Sequence, residues 1–206
     1  MTDGIKINNL QWAAVWYLIA GLGFICFGFP FWFLNAVDKI PEHHKILPFV
    51  ILIDDLLPLS FPFWEQLISS VTLFLGAYSL WKIGEPTGFG TRRNFLFVSM
   101  AGGISYFLAC WMPFPFAPVG AFLNGTGMVL VGIACLRSRI WIDWKRYLPL
   151  FAGSFPFLFM FPIRFLTGAR PAAIIGLWGF AWILLGVACL LRSNEIRRHF
   201  RNNALV

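Results

Sequence analysis

Six runs of this chain are almost continuously apolar: Gln11–Leu34, Trp64–Trp81, Asn94–Met112, Pro118–Leu136, Leu148–Thr167 and Ala172–Leu191. Each approaches or exceeds the roughly 20 residues that cross a bilayer as helix. Composition points the same way. Apolar residues make up 59% of the chain, aromatic residues 18% and charged residues only 12%, against about 25% charged in a soluble domain. A chain so poor in polar side chains cannot cover a globule in water, so lipid is expected to face much of it. The first run is too long for the apolar stretch of a cleaved signal peptide. Only Lys6 precedes it as a basic residue, and Phe29, Pro30, Phe31 and Trp32 stand where a small-residue cleavage site would fall. It is read as a retained helix.

A phrase recurs within these runs. "GIACLR" at 132–137 and "GVACLLR" at 186–192 nearly coincide, and "GAYSLWK" at 76–82 is a looser copy. Each copy closes the second helix of a pair. The expected fold is therefore all-α: a single polytopic membrane domain of six transmembrane helices in three like-oriented αα-hairpin repeats, 12–82, 94–136 and 148–191. In lipid, helices associate by close contact at small residues. Gly76, Gly132 and Gly186 are each expected to admit a neighbouring backbone, and Lys82, Arg137 and Arg192 to anchor the helix ends. Further seams are expected along Ala101, Ser105 and Ala109, along Ala121 and Gly125, and along Ala172 and Gly176. Pro156 falls mid-span and should kink the fifth helix. Cys26, Cys110, Cys135 and Cys189 all lie in apolar runs without a C-x-x-C pair, and are read as small packing residues.

Charge sets the expected orientation. Six spans place both termini on one side, with Lys6, Lys82, Arg92, Arg93, Arg137, Arg139, Lys145, Arg146, Arg192, Arg197, Arg198 and Arg201. The other side holds Lys39, Lys45, Arg164 and Arg170. This bias makes a bacterial inner membrane, with both termini cytoplasmic, the expected setting. Arg197, Arg198 and Arg201 are placed to touch anionic headgroups. The basic tail is too short for nucleic-acid binding. A second copy or a larger membrane complex is the expected kind of protein partner.

The segment 35–66 carries Asp38, Glu42, His43, His44, Asp54, Asp55 and Glu65. A seventh span here would sink Asp54 and Asp55 at about 2.5–3.5 kcal/mol each, and Pro48, Pro58 and Pro62 would break it. The segment is expected to lie on, or dip into, the outer leaflet as a lid. Glu42, His43, His44, Asp54 and Asp55 are its candidates for binding a ligand or ion, or for sensing pH. Adjacent His43 and His44 do not readily face one ion from a regular helix, so no metal site is expected. Two polar residues fall inside the spans. Asn124 is expected to bond a neighbouring helix, and Arg164 to reach outward or to pair with Asp54 or Asp55. With Glu65 counted in the lid, the spans hold no carboxylate, which disfavours a proton or ion pump. No catalytic triad, phosphate loop or intramembrane histidine pair is present, so neither an enzyme nor a bound cofactor is expected.

The stretches "WYLIAGLGFICFGFP" (16–30), "LFLGAYSLWKIG" (73–84) and "FAWILLGVACLLRSNEIRR" (180–198) resemble the HdeD-like family of bacterial inner-membrane proteins. The resemblance extends over most of 12–198. It implies six spans in three helix pairs and a role in acid or envelope stress, or as a membrane scaffold, without catalytic residues. The long segment after the first helix departs from that family's short outer turns. A channel or transporter for a small solute, or an accessory subunit of a membrane complex, is the other class open to such a chain.

Overall fold

The computed structural model describes residues 2–33, 56, 61–84, 87, 89–168 and 172–203. These are helical, with no strand among them. In order they form α1 (Thr2–Phe33), α2 (Phe61–Ile83), α3 (Leu96–Leu108), α4 (Pro113–Ser138), α5 (Leu148–Phe155), α6 (Phe161–Thr167) and α7 (Ala172–Asn203). A turn of π-helix, Pro156–Met160, joins α5 to α6 in one rod. In place of the expected kink, the rod takes a π turn at Pro156, whose ring nitrogen has no hydrogen to donate to the preceding turn. Gly168 caps this rod in the left-handed conformation, φ 66°, and its N–H donates to the Arg164 carbonyl at 3.0 Å. A side chain there would be strained.

Six rods thus correspond to the six apolar runs. Among the described residues, four segments are long and apolar enough to cross a membrane: Ile7–Gly28, Pro113–Ser138, Asp143–Thr167 and Ala173–Arg198. The third rod is shorter than the expected 94–112. Its α-helix has 13 residues, about 20 Å at 1.5 Å per residue, preceded by a 3-10 stretch, Gly90–Phe95. The second rod is long enough but diluted by polar residues on its inward face: Glu65, Ser69, Thr72 and Ser79 are all buried, while Ile68 and Val71 face outward. Leu73, Ala77 and Leu80 are buried alongside these polar groups.

Each rod packs antiparallel against the next in sequence, and α7 closes the ring against α1. The α1–α7 interface is the most extensive in the bundle. It is made of glycine. A Cβ built on Gly21 would stand 2.6 Å from the Gly179 carbonyl oxygen, one on Gly179 2.4 Å from that of Gly21, and one on Gly176 2.5 Å from the Gly28 Cα. Further along, a Cβ on Gly186 would lie 2.9 Å from the Ala14 carbonyl oxygen. Low residue numbers of α1 therefore meet high numbers of α7, and both chain ends emerge at one end of the ring. That end carries Lys82, Arg92, Arg93, Arg137, Arg139, Lys145, Arg146, Arg192, Arg197 and Arg198. Here Glu195 bonds both Lys145 and, at 3.1 Å, Arg192, tying the turn before α5 to α7. Trp141 adds a second tie, its Nε1–H donating to the Thr87 carbonyl at 2.9 Å.

The glycines of the repeated phrase do not behave alike. Gly132 admits the α5 backbone, where its Cβ would lie 2.4 Å from Leu150 N. Gly186 admits α1. Gly76 instead makes room for a side chain, with the Tyr17 ring 2.8 Å from the Cβ position. The third expected pair is also the least extensively packed of the three, because the main partner of α7 is α1. On α3 the expected stripe splits. Ser105 and Ala109 are buried, but Ala101 faces outward. Four residues advance 400°, so such a stripe drifts around the helix. Close approach is made by two adjacent glycines: Gly102 against Asn124 of α4, and Gly103 against Phe74 of α2. Ala121 and Gly125 are buried as expected, Gly125 against the Gly153 carbonyl. Gly176 lies in the α1 seam, and the Ala172 side chain lies outside the described residues. All four cysteines are free, with Cys135 and Cys189 buried.

The seam makes a direct prediction. Gly179→Ala should lower the stability of the detergent-solubilised protein by about 1–3 kcal/mol, the usual cost of overpacking. In a thermal melt this is a fall of roughly 3–10 °C. Leu22→Ala, on the lipid side of the same helix at 55% exposure, should shift it by much less. Equal shifts would contradict backbone contact at Gly179.

Candidate functional site

At the end of the ring opposite the basic cluster, the bundle is not filled. A cavity of about 50 Å³ lies among Gly23, Phe24 and Phe27 of α1, Glu65, Gln66, Ser69 and Ser70 of α2, Tyr106 of α3, Ala117 of α4 and Ile175 of α7. That volume has room for ordered water. Beside it runs a wider crevice of about 320 Å³ between α4, the α5–α6 rod and α7, lined by Pro113, Phe114, Pro118, Ala121, Met160, Phe161 and Arg164. Tyr106, Ala117 and Ile175 line both spaces, so the two lie side by side.

The two spaces differ in chemistry. The crevice is apolar apart from Arg164, which is exposed and donates from Nη1 to the Gly168 carbonyl. The inner cavity is polar on its α2 side. Glu65 is 4% exposed and Ser69 2%. Ser69 and Glu65 are four residues apart, one turn of α2, and so share its inward face. The Ser69 hydroxyl has no hydrogen-bond partner among the described residues. Gly23 shapes this wall, since a Cβ there would stand 2.1 Å from Ser69 Oγ. Ser70 is satisfied by its own helix, donating to the Leu67 carbonyl at 2.8 Å. Gln66 Nε2 reaches the Tyr106 carbonyl at 3.4 Å.

Glu65 corrects the expectation that the helical rods hold no carboxylate. It lies in the second turn of α2, within the bundle rather than in a lid. Its signal is in the sequence: Glu65, Ser69, Thr72, Gly76 and Ser79 follow helical spacing on one face. Mean apolarity over the run hides that stripe.

The other candidates fall differently. Glu42, His43, His44, Asp54 and Asp55 lie outside the described residues, as does any pairing of Arg164 with Asp54 or Asp55. No cluster of metal-ligating side chains occurs among the residues that are described. Asn124 is fully buried at 0% exposure and donates from Nδ2 to the Ser99 carbonyl of α3 at 3.4 Å. It ties α4 to α3 and lines neither space.

Along the axis of the ring, aromatic side chains stack where a channel would run. Tyr17 lies on Trp182 at 5.3 Å, Trp182 contacts Trp178 at 5.3 Å, and Trp178 contacts Phe24 at 5.2 Å and Tyr106 at 6.3 Å. Trp178 is pinned by its Nε1–H, which donates to the Ala152 carbonyl at 2.8 Å. Outside the ring the pattern inverts. Leu22, Trp111, Phe122, Leu158 and Phe180 all stand exposed, a belt that only lipid or a partner would cover.

Four membrane-length apolar helices among the described residues, within a helical ring, define the class: an α-helical membrane protein. No family model, curated protein or solved structure matches the chain.

The geometry at Asn124 predicts a small effect. Interhelical hydrogen bonds in membrane bundles average about 0.6 kcal/mol, and this one is long. Asn124→Leu, of similar shape, should change stability by less than about 1 kcal/mol in a detergent melt. A loss several times larger would show that Asn124 does more than hold α3 to α4.

Proposed function

We propose that this chain is a non-enzymatic integral membrane protein of HdeD-like build, which serves as a solid scaffold in the inner membrane during envelope or acid stress. In this reading all six rods cross the membrane, α2 with its polar residues turned into the bundle and α3 with the help of its 3-10 lead-in. The basic end of the ring faces the cytoplasm, where Lys82 over Tyr78 and Arg93 over Trp81 sit as interfacial cation–aromatic pairs do.

The observation that carries the scaffold reading is the aromatic column. Tyr17, Trp182, Trp178, Phe24 and Tyr106 fill the axis with rings, the first three being almost wholly buried. Moving a solute along that axis would require displacing several of the largest side chains in the core, and rings packed this way resist displacement. The opposing reading, transport of a small solute, draws on the lateral crevice and on Glu65 instead of the axis.

Flux separates these readings. Proteoliposomes holding the purified chain should pass urea and acetic acid no faster than protein-free vesicles of the same lipid in stopped-flow light scattering. Faster, protein-dependent passage of either solute would overturn the scaffold reading in favour of conduction.

A further inference from the structure

We propose that the crevice between α4, the α5–α6 rod and α7 holds one acyl chain of an anionic phospholipid, whose phosphate sits on Arg164. This goes beyond the scaffold reading and needs only that the ring lies in lipid.

Three observations carry the assignment. The first is the charge at the mouth. Arg164 is the one charged side chain among the described residues that line the crevice, and the one basic residue described at its end of the ring. The bias that gathers cations at the other end therefore gives no reason for it. Arg164 is exposed, and its Nη1 donates to the Gly168 carbonyl, which engages one of the five N–H donors of a guanidinium. The Nε and Nη2 donors, not used in that bond, form the fork that grips a phosphate through two parallel bonds.

The second observation is the order of the lining with depth. Met160 stands one turn before Arg164 on the same rod, and Ala121 about two turns along α4 from Pro113. Both steps lead toward the middle of the bundle. The crevice thus starts at a cation near the helix ends and continues inward between apolar walls, which is the order of head and chain in a lipid seated in its leaflet. At about 320 Å³ it stands near the lower end of ligand pockets, roughly 300–1,000 Å³, and takes one chain rather than a whole lipid.

The third is access. Phe114, in the lining, is 79% exposed, and Phe165, next to Arg164, is 82% exposed. They belong to the apolar surface that lipid covers, so a leaflet lipid enters the crevice without leaving the bilayer. Net charge then selects among lipids. In phosphatidylcholine the phosphate is neutralised by its own trimethylammonium group. In phosphatidylglycerol it is not, and Arg164 supplies the opposite charge.

Photo-labelling of the full chain in phosphatidylcholine nanodiscs tests this. The probes are phosphatidylglycerol and phosphatidylcholine bearing the same diazirine-tagged acyl chain at the same small fraction, and the free tagged fatty acid. Adducts are mapped by peptide mass spectrometry. Phosphatidylglycerol should label Met160 and Phe161 about fivefold more than phosphatidylcholine, the factor expected of one arginine facing an anionic headgroup. Leu22, exposed elsewhere on the bundle, should take both lipids alike. Arg164→Gln should make the two lipids equal at Met160 and Phe161, and Arg164→Lys, which keeps the charge, should retain most of the preference. Ala117→Leu, which narrows the crevice and leaves Arg164 in place, should reduce phosphatidylglycerol labelling of Met160 to the phosphatidylcholine level, and decides the matter if the Arg164 variants do not fold. Equal labelling by the two lipids in the unaltered chain, as a plain lipid-facing groove gives, would overturn the assignment. So would an absence of adducts at Met160 and Phe161, or a preference unchanged in Arg164→Gln or in folded Ala117→Leu. Stronger labelling there by the free fatty acid than by phosphatidylglycerol would overturn it in favour of a single-chain carboxylate. The flux measurement above is indifferent to each of these outcomes.

Discussion

Backbone contact between α1 and α7 is the constraint from which the rest of this fold follows. Within lipid, two apolar helices gain little by hiding from each other what lipid would cover equally well. Dispersion and close approach must hold them, and both need small residues at the seam. Gly21 and Gly28 on one helix and Gly176, Gly179 and Gly186 on the other supply them. Their crossing joins the first rod to the last. It turns a succession of neighbours into a closed ring, brings both chain ends to one side, and places Tyr17 and Trp182 face to face on the axis.

Closing the ring leaves each helix a choice of what to point inward. All rods but the second point mostly aromatic, aliphatic and small side chains, Asn124 of α4 being an exception. The second points Glu65, Ser69, Thr72 and Ser79. The hydroxyl of Thr72 is satisfied by its own helix, donating to the Ile68 carbonyl at 2.7 Å. At Glu65 and Ser69 the neighbouring α1 offers Gly23 rather than a large side chain, and space remains. The same device, glycine in place of bulk, thus seals the ring at α1–α7 and opens it at α1–α2. What differs is whether a backbone or a polar side chain fills the gap.

Much of this was legible in the sequence. The six apolar runs correspond to the six rods because hydrophobic length is written residue by residue. Pro156 marks an irregular turn because a missing donor acts locally. Gly132 and Gly186 admit backbones, as their repeated phrase implied. The remainder depended on facing, which a run's mean apolarity does not carry. By residue type alone, Glu65 groups with the polar segment 35–66 before α2. Only its spacing with Ser69, Thr72, Gly76 and Ser79 reveals a helix face. Ala101 was expected in a seam, yet the glycines beside it make the contact. Gly76 shares its phrase with Gly132 and Gly186 but receives a tyrosine ring, since the partner's side chain, not its own neighbours, decides what fills a notch.

The ring's closure can be measured most directly as a distance between its first and last helices. Spin labels at Asn8 and Asn194, both exposed and on opposite sides of the seam, would report it in lipid nanodiscs. Adjacent helices lie 8–10 Å apart axis to axis, so a closed antiparallel ring gives a label separation within roughly 20 Å. A separation of about 30 Å or more, the length of a membrane-crossing helix, would contradict it.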